Sequence, residues 1–456
     1  MKVISRGRAF RGAKSMILSS PMEVWVMLRF YSGIVVLGTL AMAADVSTSA
    51  VTFNKDVLPV LQKNCQTCHR PGEIGPMALL TYEGTRPWAK AIKAAVLSKK
   101  MPPWFADPQY GHFSNDRSLS QADVNTLAAW ADQGAPEGDA KDRPAPVKWM
   151  EGWNIPKPDL VVEMPTDVAV PAKGTVEYTY IIVQTGFTED RWVQEMEVRP
   201  GNRAVVHHAN VYIRRPGSPW LRKYPVGVPF VPDEQKFSSS AGAPLLDENV
   251  AGFTPGKQTV VLNSTQAKLI PAGSDIVFQM HYTSNGTAGT DRSKIGFVFA
   301  KQAPAKRVAR ILAANTTFVI PPGADDYRVD ASTVLQSDTE LVSLKPHMHL
   351  RGKWMEFRAV YPTGEKEILL RVPQYSFNWQ LEFVLDRPKL LPKGTRLEVS
   401  AGFDNSPNNK FNPDPQKEVR WGDQSWEEMM IGYFEVGFNP KLDIPDMMGV
   451  GRKQFE

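Results

Sequence analysis

Ser343–Lys353 reads SLKPHMHLRGK, with His347 and His349 two residues apart in a run that has the alternation of a strand. Alternate side chains of a strand share a face, so both imidazoles can reach one ion. Similar short runs fill the chain from Asp159 onward: VEYTYIIVQT, SDIVFQMHYT, KIGFVFA, EKEILLRV, LEFVL and TRLEVSAGF, parted by Pro, Gly, Asn and Asp. Runs of this length and punctuation predict antiparallel β-sandwiches of jelly-roll-like build. About 290 residues is generous for one sandwich, so two are expected, at 159–303 and 304–445. The seam is placed near Gln302–Arg310, and 446–456 reads as a tail.

The chain holds only seven histidines, and their grouping carries the chemistry. His207 and His208 are adjacent in AVVHHANVYI, and His281 follows in FQMHYTSNG. One metal cluster per sandwich is therefore expected: His207, His208 and His281 in the first, His347, His349 and a further ligand in the second. Adjacent residues point to opposite faces of a regular strand, so His207 and His208 share an ion only where the strand bulges or ends. A lone strand histidine is ordinarily a hydrogen-bonded core or surface residue, and imidazole suits copper, zinc, iron and nickel alike. A thioether narrows that choice, because soft sulfur favours Cu(I). Met429, in QSWEEMMIGYFEV, is the candidate, with Met430 beside it as the rival.

A different module precedes the strands. Asn64–Arg70 reads NCQTCHR, the C-x-x-C-H sequence to which c-type haem attaches. Thiols one helical turn apart, Cys65 and Cys68, add to the two vinyl groups, and His69 then lies under the iron as axial ligand. A redox dithiol would sit in a βαβ pattern, and a zinc site would need partners that this chain, with two cysteines in all, lacks. Phe53, Val57, Leu58 and Leu61 have helical spacing before the motif, although Pro59 shortens that helix or delays its start. Ser120-Gln121-Ala122-Asp123 reads as a capping box, followed by Val124, Leu127, Ala128 and Ala131 on one face and by Gly134 as a stop. Residues 51–138 thus read as a small all-α, class I cytochrome c-like domain, and 139–158 as a charged, proline-bearing linker. Met101 in KKMPPWFADP is placed to be the sixth iron ligand, with Met77 and His112 as alternatives.

Tyr31–Ala43 (YSGIVVLGTLAMA) is an apolar run ending in a small-x-small cleavage pattern, so 1–43 reads as an export signal. Met27 is a better start than Met1, because Arg29 then supplies a compact charged region; an uncleaved anchor is the rival reading. The run is shorter than the roughly 20 apolar residues of a membrane span, so none is expected once the signal is removed. Residues 1–43 hold six Lys/Arg and one Glu; taking these from 53 and 48 leaves 47 of each. A neutral mature chain gives no reason to expect nucleic acid as a partner, and the expected location is the bacterial periplasm or the extracellular space.

The order HH, then Q-x-H-Y, then H-x-H, then E-M with a following Tyr resembles the copper type II ascorbate-dependent monooxygenases, the family of peptidylglycine alpha-hydroxylating monooxygenase and dopamine beta-hydroxylase. The resemblance runs from about Asp159 to Phe438. It implies that His207, His208 and His281 hold an electron-transfer copper, and that His347, His349 and Met429 hold the copper that binds dioxygen. Gln279 matches a glutamine facing the cleft between the metals, and Tyr433 a tyrosine near the substrate. Lys345 stands where the peptide-specific enzyme has an arginine that grips a carboxylate. Lysine attracts an anion but cannot form the bidentate fork. The sandwiches contain no cysteine, unlike the disulfide-bearing animal enzymes, so packing alone must hold them.

The function these readings imply is hydroxylation of a C–H bond in a small-molecule or peptide-like substrate by O2. Electrons would come from ascorbate or another reductant, through the tethered haem or from an exported redox partner. A contrasting reading is an exported electron-transfer or copper-binding protein without oxygenase activity. A third is a degenerate sandwich that only scaffolds the haem. Copper content and substrate-dependent oxygen uptake separate the three.

Overall fold

Each strand run expected from the sequence forms a strand in the computed structural model, which describes residues 50–73, 75–149, 152–232, 249–254, 259–422 and 424–448. The expected leader, with its Met27 start and cleavage site, lies outside those residues, as does most of the expected tail. Among the described residues no helix is long and apolar enough to cross a membrane. The molecule is mostly β-sheet, arranged as two successive sandwiches behind a short helical segment.

In the first sandwich, the strands Thr179–Gln184, Asp275–Tyr282, Val206–Arg214 and Asn249–Phe253 form one sheet in that order. Its apolar face carries Val206, Ala209, Val211, Phe278 and Met280 into a core shared with Val193, Met196, Ile295 and Phe297 of the opposing sheet. Alternation then puts His208, Asn210, Gln279 and His281 on the other face. In the second sandwich, Lys306–Asn315, Met430–Phe438, Thr339–His347 and Phe383–Leu391 lie side by side, over the sheet Tyr327–Val334, Arg396–Phe403, Gly352–Val360, Lys366–Val372. Leu344, Phe434 and Val436 turn inward, which leaves Lys345, His347 and Tyr433 facing out of the sandwich.

Two antiparallel sandwiches were expected, and the structure adds a short parallel link between them. The strand Lys306–Asn315 starts beside the first sandwich, where Lys306 and Arg307 pair in parallel with Gln266 and Ala267. One nine-stranded sheet therefore runs through both halves. This pairing covers backbone groups that a free edge would leave exposed.

The N-terminal segment is helical at Leu58–Asn64, Ala89–Leu97 and Gln121–Asp132. A π-helical turn, Phe53–Val57, comes first, and Pro59, which has no N–H to give, sits at the start of the α-helix that follows. The expected cap is present: the Ser120 hydroxyl accepts from Asp123 N at 3.1 Å, and Gly134 takes the positive φ that ends the helix. Phe53, Leu61, Leu127 and Trp130 form the core of this segment, with Cys65 and Met77 against it.

The expected linker is not a loose spacer. Buried Glu197 accepts from Asn154 N at 2.5 Å and Asn154 Nδ2 at 2.8 Å, and Ile155 is buried beside them. A carboxylate with no water must find donors, and this strap supplies them. The expected tail likewise begins within a short helix, Ile444–Met448, whose Met447 enters the second core.

Candidate metal centres

The strand Val206–Arg214 carries the bulge that two adjacent histidine ligands require. Val206 pairs with Tyr282 and His208 with His281, so His207 is the extra residue between them. The bulge turns its ring back toward its neighbour: the Nδ1 atoms of His207 and His208 are 3.2 Å apart. One nitrogen from each of His207, His208 and His281 lies within 4.8 Å of the others. Metal–imidazole bonds of about 2.0–2.1 Å at a tetrahedral angle put two nitrogens about 3.3 Å apart, so one ion fits the pair. The Nδ1 of His281 is buried without a hydrogen-bond partner. A hydrogen bond between His207 and His208 would leave that orphan unexplained; an ion held by three imidazoles accounts for all of it. Tyr178 stacks on His281 with ring centroids 4.7 Å apart.

Burial lowers the pKa of all three rings, that of His281 to about 4 with help from the charges of His207 and His349. Burial thus favours the neutral rings, each with a lone pair to give.

The second centre is built differently. Its strand ends at His347, so the expectation that both histidines lie on a strand is corrected. Buried Glu428 takes over from a partner strand, accepting from His349 N at 2.7 Å and Arg351 N at 2.6 Å. Alternation survives beyond the strand end, with Met348 in the core and the rings of His347 and His349 5.3 Å apart. Each ring is oriented by hydrogen bonds. Nδ1 of His347 donates to Gln380 Oε1 at 2.9 Å, and Nδ1 of His349 to the Glu427 carbonyl at 3.3 Å. The bond to Gln380 leaves Nε2 of His347 as its lone-pair nitrogen, while the His349 ring also has a backbone hydrogen bond to Gln424. Burial pushes His347 to about 3 and His349 to about 4.

Register separates the two methionines. Met430 is fully buried in the apolar core, on the face of Phe434 and Val436. Met429 falls on the opposite face, in phase with Ile431 and Tyr433; Ile431 pairs with His347 and Tyr433 with Lys345. A thioether from Met429 is thus on the histidine side of the sheet, and Met430 is not. Two imidazole nitrogens joined by a soft sulfur would suit copper better than zinc.

The two centres meet across one side chain. The ring of Phe377 lies 6.4 Å from that of His207 and 5.9 Å from that of His349, so those imidazole centroids are at most 12.3 Å apart. The loop bearing Phe377 is pinned by Tyr375, whose hydroxyl donates to the Met348 carbonyl at 2.7 Å, and by Gln380 on His347. Neither Phe377 nor Gln380 carries a local sequence signal. Glu428 had one, as the acidic neighbour of Met429.

The remaining expected residues are placed as follows. Gln279 shares the face of His281, but its amide is engaged: Asn210 Nδ2 donates to it at 2.9 Å, and its Nε2 donates to the Tyr180 hydroxyl at 2.5 Å. Tyr433 lies 6.2 Å from His347, with the Arg310 guanidinium 5.4 Å over its ring. Burial and nearby Arg310 lower Lys345 to about 7, against the pull of Glu435. Among the described residues none hydrogen-bonds its ammonium.

At the C-x-x-C-H motif both cysteines are free thiols in one turn, and His69 N donates to the Cys65 carbonyl at 2.9 Å. His69 Nδ1 donates to the Met77 carbonyl at 3.2 Å, which leaves Nε2 for an iron. Gly75 closes on the motif so tightly that a Cβ there would stand 2.7 Å from His69 Nδ1. The motif therefore has the donors and the fixed tautomer that a c-type haem needs. The Met77 carbonyl is on the Nδ1 side of the ring, and its side chain packs against the helical core. The backbone of His112 is tied to the second sandwich, its carbonyl accepting from Asp386 N at 3.0 Å. Met101 is partly buried, just before a segment in which Trp104 packs 4.8 Å from Phe383 of the second core.

No family model matches the chain, and no curated protein does. A search of solved structures finds a putative secreted protein from Eubacterium rectale at 10% identity, covering 57% of this chain and 69% of that one, with a TM-score of 0.18. It also finds the infectious bursal disease virus Gt strain (9%, 65% and 75%, TM-score 0.19) and PNGF-II (9%, 61% and 60%, TM-score 0.22). Scores this low carry no weight for fold or function.

Proposed function

We propose that the chain is an exported haem- and copper-containing monooxygenase of the copper type II ascorbate-dependent kind. It joins a substrate C–H bond, O2, two electrons and two protons to give C–OH and water. What carries the reading is the asymmetry of two histidine clusters on either side of Phe377, one all-imidazole and one with a thioether on its face. When bound, the copper at the first centre would store and pass electrons, that at the second would activate dioxygen, and the haem would supply electrons to the first.

The chain's own residues set the conditions. Gln380 and Glu427 orient the two rings of the second centre, and Glu428 fixes the backbone that presents His349. Phe377, half-buried, touches a ring of each cluster and so offers electrons a short through-contact path between them. Gln279, locked by Tyr180 and Asn210, steadies the strand face that bears His281. Lys345, two residues from His347 and opposite Tyr433, is held at about 7 by burial and Arg310 against the pull of Glu435. A carboxylate on the substrate would favour the protonated ammonium of Lys345 and place a neighbouring C–H bond beside the second centre.

The test is oxygen uptake by the reduced, copper-loaded protein with a panel of carboxylate-bearing compounds and their neutral amides. The expected result is one hydroxylated product per O2, from carboxylates only, and none from His347→Ala. Redox exchange of haem and copper with no oxygen consumed on any compound would favour the electron-carrier reading instead.

A further inference from the structure

The segment after C-x-x-C-H is tied to the first sandwich by ions. Glu73, four residues past His69, binds Arg70 at 2.9 Å and Arg203 at 2.5 Å. Their side chains are 17%, 21% and 19% exposed, so this is not the open surface pair that contributes about 0–1 kcal/mol. Each arginine is also seated on an aromatic ring. Arg70 lies 4.1 Å over Trp149, and Arg203 lies 5.8 Å from Phe253, on the strand that pairs with the one bearing His207. Arg203 stands four residues before His207, and the intervening Val205 and Val206 are buried. The Val205 carbonyl accepts from Thr283 N at 2.8 Å, two residues beyond His281. The ionic strap therefore bears on both strands of the three-histidine cluster.

We propose that Glu73 and Arg203 are positioning residues that hold the haem-attachment segment against the His207 bulge, making the first centre the one the haem reduces. This rests on the proposed haem and copper reading. The step is a single electron from ferrous haem to cupric ion, leaving ferric haem and Cu(I); no bond forms and no proton moves. The strap acts through geometry, because misplacement by an ångström is costly when donor and acceptor are held apart by a fixed frame.

The test compares full-length haem- and copper-loaded wild type with Glu73→Gln, Arg203→Gln and the double exchange Glu73→Arg with Arg203→Glu. The exchange keeps two cations and one anion at the site. Two readouts are taken: amide hydrogen exchange over 202–208, and decay of the reduced-haem band after rapid reduction. Each single variant should speed exchange there and slow haem oxidation roughly ten- to hundredfold, with copper content and haem potential unchanged. The double exchange should bring both readouts back toward wild type. Single variants that alter neither readout overturn the proposal, as does a folded, copper-replete double exchange that recovers neither. Wild-type haem that never passes an electron to copper would instead defeat the functional reading, while the exchange data still judge the strap.

Discussion

The two histidine clusters differ in how their rings are held, and the difference matches two kinds of work. In the first, three rings converge with their nitrogens toward one another, braced by a bulge and by Tyr178, and among the described residues none is oriented by a carboxylate or side-chain amide. In the second, two rings are each oriented through Nδ1 by Gln380 or Glu427, and strand register puts Met429 in phase with Ile431 and Tyr433, the residues paired with His347 and Lys345. A closed all-nitrogen set keeps its geometry while its ion changes charge. An oriented, thioether-bearing set leaves room for a further ligand.

The largest effect expected from this comparison is loss of metal. His207→Ala and His347→Ala should each reduce copper from two ions per chain to one, measured by elemental analysis, and the two losses should add in the double variant. If either change emptied both centres, the clusters would not be independent. Next come the methionines, with opposite outcomes. Met430→Ala should cost about 2–5 kcal/mol in denaturant unfolding and leave copper bound, because it removes a fully buried core side chain. Met429→Ala, at a side chain that is buried but outside the apolar core cluster, should cost less stability than Met430→Ala and weaken Cu(I) binding at the second centre alone.

Much of this was legible in the sequence. The strands follow from alternation, and His207-His208 announced either a bulge or a strand end, of which the bulge is found. Met429 and Met430 could not be separated by composition; the register between Thr339–His347 and Met430–Phe438 separates them. Gln380, Phe377 and the Glu73–Arg203 strap act through contacts between residues from about 30 to 170 positions apart, which no local pattern encodes. The linker misled because proline and charge usually mark solvated chain, whereas here Asn154 satisfies a buried carboxylate.

A smaller effect, on stability against pH, reads both clusters in the metal-free protein. His281 and His349 are held at about 4 and His347 at about 3, while an unfolded histidine titrates near 6.5. Between those values the unfolded chain binds more protons. Stability should therefore be full above pH about 6.5 and fall progressively as pH drops toward 4. Bound copper should delay that loss. A metal-free protein with flat stability across this window would show that the rings are not buried together. Smallest of these, Gln380→Leu should weaken copper binding at the second centre by about 10- to 100-fold and leave the first unchanged.

The most direct measurement is carbon monoxide binding to the fully reduced, copper-loaded protein, followed by infrared spectroscopy of the copper carbonyl band. The account predicts one carbonyl per chain on copper, lost in His347→Ala, shifted in Met429→Ala and retained in His207→Ala. Two copper carbonyls, none, or one that disappears with His207 and survives the loss of His347 would contradict it.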